Sequence, residues 1–548
     1  MKRSTLRLGY HRAAKVGAFL LVFGIAVALR VYGLRWGLPG PLHSYSYHPD
    51  EFLSVNAAFR IYHTHSFDPG IYVYPSLYMY LSALAISVGL GYGAAPSLTF
   101  VYLAARIVTV IMSVAAVVAT WWAGRTLFGN VVGLVAALIL CIAPLHVQHS
   151  HFATVDVPST LFVAVALGFA GLIISRGLWR DYAIAGTFAG FAAGMKYNAG
   201  LVILAALASH LLRRNAKGDA QWLKTMTAAI CAGAAFVIST PGFLLRYEAF
   251  RTDFLSEVSH VSTGHGLVFA GTGNGIVYNF VSSLWYGLGP VLAVMLVISV
   301  LWAVVRFDRH AVVVTAFLIP YYVLISLSQV RFARYTLPMY PAAAILIAFM
   351  VVDFCLLLAQ RKLAGIRVIW IAATTGMLLF TLWYTVNLIS VFGRTDPRDR
   401  AAHWIFTHIP RGARIGVIEV PWFYSPPLSK MLGYGRLEDR EEALRDAPYD
   451  FVVFRLCDQY GYRWFDNFPP KWVIVSNYEV EDALRLRGSR SIGKAEREEV
   501  ERIMTDFELV EKHYHRVARF GDMSGGFSDL PHDMRYPLPT LTIYELRR

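Results

Sequence analysis

Apolar stretches of about twenty residues recur along the first 393 residues, and an α-helix needs about that length to cross a lipid bilayer. Apolar residues make up 56% of the chain and charged residues only 16%, whereas about 25% of the residues in a soluble domain are charged. This composition excludes a wholly soluble protein and predicts a polytopic α-helical membrane protein with about eleven spans. The predicted spans cover residues 16–35, 101–124, 131–149, 157–175, 182–195, 197–212, 223–243, 276–305, 311–328, 335–358 and 366–392.

Two stretches depart from this simple pattern. Residues 182–212 are short for two crossings, so we expect a broken or re-entrant segment there, which membranes tolerate where protein or water covers the backbone. The stretch 71–93 opens with IYVYPSLYMYL, and its tyrosines and Pro75 are typical of the membrane interface. We therefore predict that it forms a surface helix within a long first outer loop, residues 36–100.

The formal charge of +14 is explained by the orientation of the chain in a membrane. Basic residues such as Arg125, Arg176 and Arg306 gather in the loops that share a side with the N-terminus, while the opposite loops hold basic and acidic residues in balance. Cytoplasmic loops of membrane proteins carry such a basic excess. We therefore predict a cell-membrane protein with its N-terminus inside, membrane lipid as its surroundings and no nucleic-acid partner.

The C-terminal part has the composition of a soluble protein. After a first domain of residues 1–393, residues 394–548 are predicted to form an extracytoplasmic α/β domain, because helical patterns such as PRDRAAHWIFTHI alternate with strand patterns such as RIGVIEV. No Gly-rich phosphate fingerprint opens its helices, so we assign it no catalysis. Three of the four cysteines lie in apolar runs, and no disulfide framework is indicated.

The first outer loop begins with HSYSYHPDEF, which places His48, Asp50 and Glu51 shortly after the first span. Neighbouring carboxylates could hold a metal or act as a general base, because a nearby negative charge raises the pKa of a carboxyl group. The alternative is a plain helix start, since Pro49 followed by acidic residues suits a helix N-terminus.

The second outer loop is short and reads QHSHFATVDVPST, with His149, His151 and Asp156 close together. Imidazole and carboxylate groups could hold a divalent ion such as Mg, Mn or Zn, or contact an acceptor. An ionisable residue at the end of a span is also a functional hypothesis in its own right. The alternative is that Asp156 caps the next helix, just before Pro158, while the histidines lie in the headgroup layer.

Two later segments supply cations on the same predicted face. The break in GMKYNAG holds Lys196 and Tyr197, and the Lys could bind a phosphate as a point charge or reach to the interface. The segment SQVRFARYTLPMYP holds Arg331, Arg334 and Tyr335. Arginine is suited to bidentate phosphate binding, so two arginines outside indicate an anionic ligand.

A Gly-rich outer loop, residues 244–275, contains His260 and His265 as further residues that could contact a metal or an acceptor. Such a loop could close over a substrate, or it could be a plain connector.

Taken together, the HPDE, HSHFATVD, GMKYN and RFARYTLPMYP segments resemble those of the GT-C glycosyltransferases. The resemblance is to the group that contains the dolichyl-phosphate-mannose protein O-mannosyltransferases and the lipid A aminoarabinose transferases, and it covers about residues 1–393. It implies a GT-C-like fold and an inverting transfer of a sugar, mannose or similar, from a polyprenyl-phosphate donor. The acceptor hydroxyl would belong to a protein Ser or Thr, a glycan or a lipid at the outer face.

The resemblance also implies roles for particular residues. Asp50 matches the catalytic base, Glu51 matches the adjacent acid of the O-mannosyltransferases, and Asp156 matches the acid of the second loop, which supports a metal or the acceptor. Lys196, Arg331 and Arg334 would bind the donor phosphate, together with the adjacent Tyr197 and Tyr335. No outer loop is long enough for the β-trefoil insertion of the eukaryotic O-mannosyltransferases. A transporter or flippase for a lipid-linked sugar is the alternative function, because it would also need outer cations.

Overall fold

The computed structural model describes residues 2–213, 220–521 and 529–547. We call residues up to 393 the membrane segment. Its helices, in chain order, are α1 (Lys2–Val31), α2 (Glu51–Thr64), α3 (Leu77–Gly91), α4 (Leu98–Phe128), α5 (Asn130–Ile142), α6 (Pro144–His149), α7 (Asp156–Ser175), α8 (Trp179–Met195), α9 (Ile203–Leu212), α10 (Ala220–Ser239), α11 (Gly242–Leu245), α12 (Tyr247–Thr263), α13 (Gly275–Tyr278), α14 (Trp285–Gly287), α15 (Pro290–Arg306), α16 (Arg309–Ser326), α17 (Tyr340–Gln360) and α18 (Ala364–Ile389). Three 3₁₀ turns, Tyr197–Val202, Ala333–Met339 and Ser390–Gly393, and one π turn, Asn279–Leu284, connect them.

Six helical stretches in the described ranges are long and apolar enough to cross a membrane, judged by length and composition alone. They are Leu98–Phe128, Asp156–Ser175, Trp222–Ser239, Arg309–Ser326, Ala333–Gln360 and Ala364–His408. Four shorter apolar helical stretches accompany them: Leu77–Gly91, Asn130–Ile142, Tyr197–Leu212 and Pro290–Arg306. The count of eleven spans therefore stays a prediction.

Helix breaks interrupt several of the apolar stretches that were predicted to span the membrane. The stretch 182–212 breaks at Lys196, where α8 ends and a 3₁₀ turn begins, as the sequence led us to expect. The stretches 131–149 and 276–305 also break, which we did not expect. Each break has a proline at the first position of the next helix, Pro144 or Pro290, and the second adds Gly289 with a φ of +86°. Proline cannot donate a hydrogen bond to the preceding turn, so a helix starts anew there.

Small residues allow α8 and α10 to pack in close contact. A Cβ atom at Gly186 would lie 2.0 Å from the carbonyl oxygen of Ala228, and one at Gly190 would lie 2.2 Å from that of Ala232. The spacing of four residues places both glycines on one face of α8, which is the small-residue pattern of helix pairs in membranes. A larger side chain at either position would force these helices apart.

The remaining described residues form the C-terminal segment. It contains a five-stranded mixed sheet of β1 (Arg414–Val417), β2 (Asp450–Val453), β3 (Trp472–Ser476), β4 (Tyr514–Phe520) and β5 (Leu541–Leu546). The order of the strands in the sheet is β2-β1-β3-β5-β4. Strands β1, β2 and β3 are parallel, and β5 runs antiparallel to β3 and β4. Helices pack on both faces, because alternate residues such as Val473 and Ile474 enter opposite hydrophobic clusters. The elements are α19 (Pro397–His408), β1 (Arg414–Val417), α20 (Leu437–Arg445), β2 (Asp450–Val453), α21 (Phe454–Gln459), α22 (Trp464–Asn467), β3 (Trp472–Ser476), α23 (Asn477–Leu486), α24 (Lys494–His513), β4 (Tyr514–Phe520), a 3₁₀ turn (His532–Arg535) and β5 (Leu541–Leu546).

The C-terminal segment docks on the membrane segment. Leu530 and Met534 are buried within the main hydrophobic cluster of the membrane segment. The side-chain amide of Gln148 donates a 2.8 Å hydrogen bond to the carbonyl oxygen of Met534, and the Trp36 indole donates a 3.1 Å bond to Asp396. The stretch before β5 therefore forms one wall of the face that carries the predicted site.

Candidate active site

Asp50 lies in the predicted first outer loop, directly before a helix of that loop. It is the N-cap residue of α2, and one carboxylate oxygen lies 2.9 Å from the guanidinium of Arg334. About 21% of its side chain remains exposed. Burial raises the pKa of Asp50 above its usual range, and Asp156 adds to this effect, while Arg334 and Lys196 oppose it. The proton affinity of Asp50 would therefore rise if Arg334 or Lys196 moved away from it.

Glu51 points in another direction although it is the next residue. Its side chain is fully buried and receives two hydrogen bonds of 2.7 Å from Arg106, one to each carboxylate oxygen. The backbone N–H of Ala153 and the hydroxyl of Ser46 also donate to it. These contacts tie α2 to α4 and to the second outer loop. They favour a positioning role for Glu51 over the catalytic role that the resemblance implied.

A second carboxylate is paired with the lysine at the break in the helices. Asp156 is the first residue of α7, and its oxygen lies 2.5 Å from Nζ of Lys196. Both side chains are nearly buried. The interruption after α8 makes this contact possible, because it brings Lys196 out of the helix in extended backbone geometry. The sequence analysis left open that Lys196 only extends to the membrane interface. In the structure, Lys196 instead forms an ion pair with Asp156.

Arg334 lies in the 3₁₀ turn Ala333–Met339, and carboxylates hold it from two sides. Asp533 accepts hydrogen bonds from the backbone N–H groups of Ala333 and Arg334, at 3.0 and 2.9 Å, and lies 3.7 Å from the guanidinium. The guanidinium also lies over the Phe332 ring, 3.9 Å from its centroid. Asp50 and Asp533 therefore share one buried arginine.

The Tyr335 ring brings the two ion pairs together. Nζ of Lys196 lies 4.5 Å from the centre of this ring, and the guanidinium of Arg334 lies 5.8 Å from it. A cation is attracted to the face of an aromatic ring over such distances. The two ion pairs, Asp50 with Arg334 and Asp156 with Lys196, thus have their cations beside one aromatic side chain.

The histidines of the first two loops differ in their surroundings. The rings of His48 and His149 face each other with centroids 5.9 Å apart, and Nε2 of His48 and both nitrogens of His149 have no hydrogen-bond partner among the described residues. His151 is different, since both of its nitrogens lie against backbone carbonyls, those of Tyr32 and Val147. His48 and His149 thus have unpaired nitrogens within the described residues, and both side chains are buried.

The residues do not fit the predicted divalent ion. Within the described ranges, no group of three or more His, Cys, Asp or Glu side chains could hold a metal. Asp50 and Asp156 each have a cation as neighbour, and a site for Mg, Mn or Zn would need these carboxylates as free ligands.

Other predicted site residues lie further from the carboxylates. The hydroxyl of Tyr197 donates a 2.7 Å bond to the carbonyl of Tyr72. Arg331 donates to Thr272 and to the carbonyl of Gly273, both at 2.8 Å. These contacts occupy Arg331 and Tyr197 with neutral groups of the outer loops and favour a role in holding those loops. The rings of His260 and His265 lie 5.2 Å apart, and His265 packs on Phe332 beside Arg334.

Sequence reasoning missed three residues that face the site. Asp533 and Tyr536 come from the C-terminal segment, and the Tyr536 hydroxyl lies 3.5 Å from Arg334. Glu257 comes from α12, and it interacts electrostatically with Lys196, Arg334 and Asp50. Burial raises the pKa of Glu257. For Glu257, the position on the predicted outer face was the one feature of the sequence that could have indicated a place in the site. The sequence around Asp533 does not resemble any site motif.

Comparisons with known proteins show similarity in sequence over part of the chain and in fold over most of it. Residues 98–244 match the family model described as dolichyl-phosphate-mannose-protein mannosyltransferase. The structure of ArnT from Cupriavidus metallidurans bound to undecaprenyl phosphate aligns with a TM-score of 0.51 and 14% identity, over 96% of this chain and 98% of that chain. No curated protein sequence matches the chain.

A second solved structure gives a similar result. The archaeal oligosaccharyltransferase AglB from Archaeoglobus fulgidus, in complex with an inhibitory peptide and a dolichol-phosphate, aligns with a TM-score of 0.51 and 14% identity, over 95% of this chain and 75% of that chain. Both proteins are GT-C superfamily glycosyltransferases. The resemblance that the motifs indicated is confirmed, and the chain has the GT-C fold.

Proposed function

We propose that the protein is an integral membrane glycosyltransferase that moves a sugar from a polyprenyl-phosphate donor to an acceptor hydroxyl. The reaction takes place at the outer face of the cell membrane, where the active site and the C-terminal segment lie. The observation that carries this proposal is the arrangement of Asp50, Asp156, Lys196 and Arg334 around the Tyr335 ring. Two acids and two cations side by side suit a reaction that takes up a proton and releases a phosphate.

The two cations form the phosphate site. Arg334 and Lys196 are nearly buried, so a charge-assisted hydrogen bond from either of them is stronger than it would be in water. In the absence of a donor, the carboxylates of Asp50 and Asp156 take the place of the phosphate oxygens. Negative charge grows on the phosphate as the sugar leaves, and preorganised cations stabilise that charge.

An apolar groove beside this site suits the lipid part of the donor. It has a volume of about 440 Å³ and is lined by side chains such as Ile276, Phe280, Leu296 and Leu318. Met339, the last residue of the 3₁₀ turn that carries Arg334, lies at the groove. A chain of isoprene units in the groove would leave its phosphate near Arg334. Polyprenyl phosphates are also the lipids bound to ArnT and AglB in the solved structures.

Asp50 is the base in this proposal. The acceptor hydroxyl attacks the anomeric carbon of the donor sugar, a new carbon–oxygen bond forms, and the bond from that carbon to the phosphate oxygen breaks. The hydroxyl proton passes to the Asp50 carboxylate, and the polyprenyl phosphate leaves with both electrons of the broken bond. One displacement inverts the anomeric carbon. When the phosphate draws Arg334 away from Asp50, the pKa of Asp50 rises, which makes it a better base.

An Asp50→Asn variant tests this role. General-base assistance contributes about 10²- to 10⁴-fold, so we expect transfer from polyprenyl-phosphate-mannose in nanodiscs to fall by about this factor. The matched control is Glu442→Gln, which changes an exposed acid on α20. Thermal unfolding confirms that both variants are folded. Transfer by Asp50→Asn within about threefold of the wild type would overturn the base assignment.

A measurement in sealed vesicles separates the enzyme from a transporter of a lipid-linked sugar. A transporter needs ionisable groups along a pathway that opens to both sides. The Asp50 and Asp156 ion pairs lie at one end of the helices, and the pair of Arg306 with Asp353 lies at the other. Movement of labelled donor across the bilayer without a glycosylated product would favour the transporter.

A further inference from the structure

A polar cavity, separate from the apolar groove described above, lies between the C-terminal segment and the outer loops. It has a volume of about 230 Å³, which is below the roughly 300–1,000 Å³ of pockets for drug-sized ligands and suits one small ring. Its wall combines aromatic residues, among them Trp422 and Tyr478, with charged residues, among them Glu419 and Arg440. The Asp50 mechanism uses none of these side chains.

The cavity lies where an α/β sheet usually binds its ligand. Strands β1 and β3 are parallel neighbours, while β2, which comes between them in sequence, lies on the far side of β1. After β1 the chain continues to a strand on one side, and after β3 it continues to strands on the other side. Where the direction of the connections changes in this way, a crevice opens at the carboxyl ends of the two strands. Glu419 follows β1 and Tyr478 follows β3, and both line the cavity.

Two polar groups at this cavity lack partners. Nε of Arg440 is buried without a hydrogen-bond partner among the described residues, and its Nη1 reaches only backbone carbonyls at 3.4 Å. Nδ1 of His532 is also buried and unpaired within the described part of the chain. Leaving a buried polar group unpaired costs about 1–3 kcal/mol, so a ligand that supplies the missing partners would gain this energy.

The wall favours a sugar ring over a nucleotide. The start of α23 carries Glu479, whose carboxylate accepts hydrogen bonds from the backbone N–H groups of Glu419 and Ser476. A phosphate at this helix start would meet that carboxyl group. The oxygens of Glu419, paired with Arg455 and Arg502, can still accept bonds from hydroxyl groups. Aromatic surfaces beside hydrogen-bonding groups suit a molecule with apolar ring faces and a rim of hydroxyls.

The cavity also adjoins the proposed active site. His265 and His532 line it, and both of their rings pack against Phe332, at 5.3 and 6.1 Å. Phe332 in turn lies under the guanidinium of Arg334. One layer of aromatic rings thus separates the cavity from the phosphate site.

We propose that this cavity binds a saccharide unit of the acceptor, so that the acceptor is a glycan held at two points. The inference rests on the proposed glycosyltransferase function and narrows its acceptor from a protein, a glycan or a lipid to a glycan. The terminal hydroxyl reacts at Asp50 while a neighbouring sugar ring occupies the cavity beside Arg440 and Trp422.

Saturation-transfer NMR on the full-length protein in nanodiscs tests this directly. The probes are methyl α-mannopyranoside, methyl β-galactopyranoside and methyl α-arabinofuranoside, each titrated alone. We expect saturable binding of at least one probe, weakened tenfold or more in Arg440→Gln and in Trp422→Leu. The matched control is Arg445→Gln, an exposed arginine on the same helix, which should bind like the wild type. Arg440→Gln should fold well, because Arg440 is only partly buried and its contacts, with the Trp422 ring and two backbone carbonyls, are weak.

Measurements of probe binding and of sugar transfer distinguish a failure of the saccharide cavity from a failure of the proposed glycosyltransferase function. Asp50→Asn should lose transfer and keep probe binding. Absence of saturable binding for all three probes, or equal binding by Arg440→Gln and the wild type, would overturn the saccharide cavity even if the wild type transfers sugar. Probe binding without any transfer by the wild type would instead refute the glycosyltransferase.

Discussion

Asp50 and Glu51 are neighbours in sequence, and each pairs with an arginine, yet the two ion pairs differ in almost every physical respect. Glu51 and Arg106 are fully buried and joined through both carboxylate oxygens. Asp50 is partly exposed, meets Arg334 at one contact, and shares that arginine with Asp533. A carboxylate whose bonds are complete holds the structure together, whereas one with an incomplete set of bonds can exchange its partner for a substrate.

The Glu51 pair should show the largest effect when it is broken. Glu51→Ala leaves Arg106 buried without its acidic partner, and such a change typically costs about 3–5 kcal/mol. We expect a large fall in folded yield and in the thermal unfolding midpoint in detergent. The same change at Asp50 should cost less than half as much, because Asp533 still faces Arg334.

A double variant sharpens this result. Glu51→Leu combined with Arg106→Met replaces both charges by apolar groups, and it should recover part of the stability that Glu51→Ala loses. Equal destabilisation by Glu51→Ala and Asp50→Ala would contradict the distinction between the two pairs.

The Asp50 pair should respond to pH. Arg334→Gln removes the positive charge that opposes the raised pKa of Asp50, so this pKa rises further. The base acts in its deprotonated form, and the acid limb of the kcat/KM profile, which reports the free enzyme, should therefore move to higher pH. Loss of a charge-assisted bond of about 1.5–3 kcal/mol should also raise the donor KM roughly 10- to 100-fold. An unchanged acid limb in rate measurements across pH would argue against Asp50 as the titrating group.

The smallest effect is expected at Arg331, which the motif alone could not distinguish from Arg334. Its bonds go to Thr272, Gly273 and Ser328 in the outer loops. Arg331→Gln should change the donor KM by less than about twofold and lower stability by about 1 kcal/mol, the usual value of a hydrogen bond. A rise in donor KM as large as that of Arg334→Gln would assign Arg331 to the phosphate site instead.

Much of the site could be predicted because its residues lie in short motifs at the ends of apolar stretches. The unequal distribution of basic residues between the loops predicted which residues share a side of the membrane. It placed Asp50, Asp156, Lys196 and Arg334 on one face, and the structure brings their side chains together. The sequence did not reveal how adjacent residues divide their roles. Successive side chains at a helix start point about 100° apart, so one faced the open site and the other the core.

The remaining residues depend on contacts between distant parts of the chain. Asp533 is part of a 3₁₀ turn that reaches Arg334 only when the sheet of the C-terminal segment has docked. Local patterns such as PRDRAAHWIFTHI and RIGVIEV predicted α19 and β1 but contain no information on where the segment docks. The breaks at Pro144 and Pro290 were missed for a simpler reason, since the apolar composition continues through both.

The bond between Asp533 and the turn at Arg334 has a consequence for the order in which the protein matures. Ribosomes deliver Asp50 early and Asp533 almost five hundred residues later, and segments of a large chain begin to fold as they are made. A nascent chain can therefore insert its helices and even contact lipid before its arginine is held in place. In the proposed mechanism, Arg334 is held between Asp50 and Asp533 only once the C-terminal segment has folded, so we expect an unfinished chain to transfer no sugar.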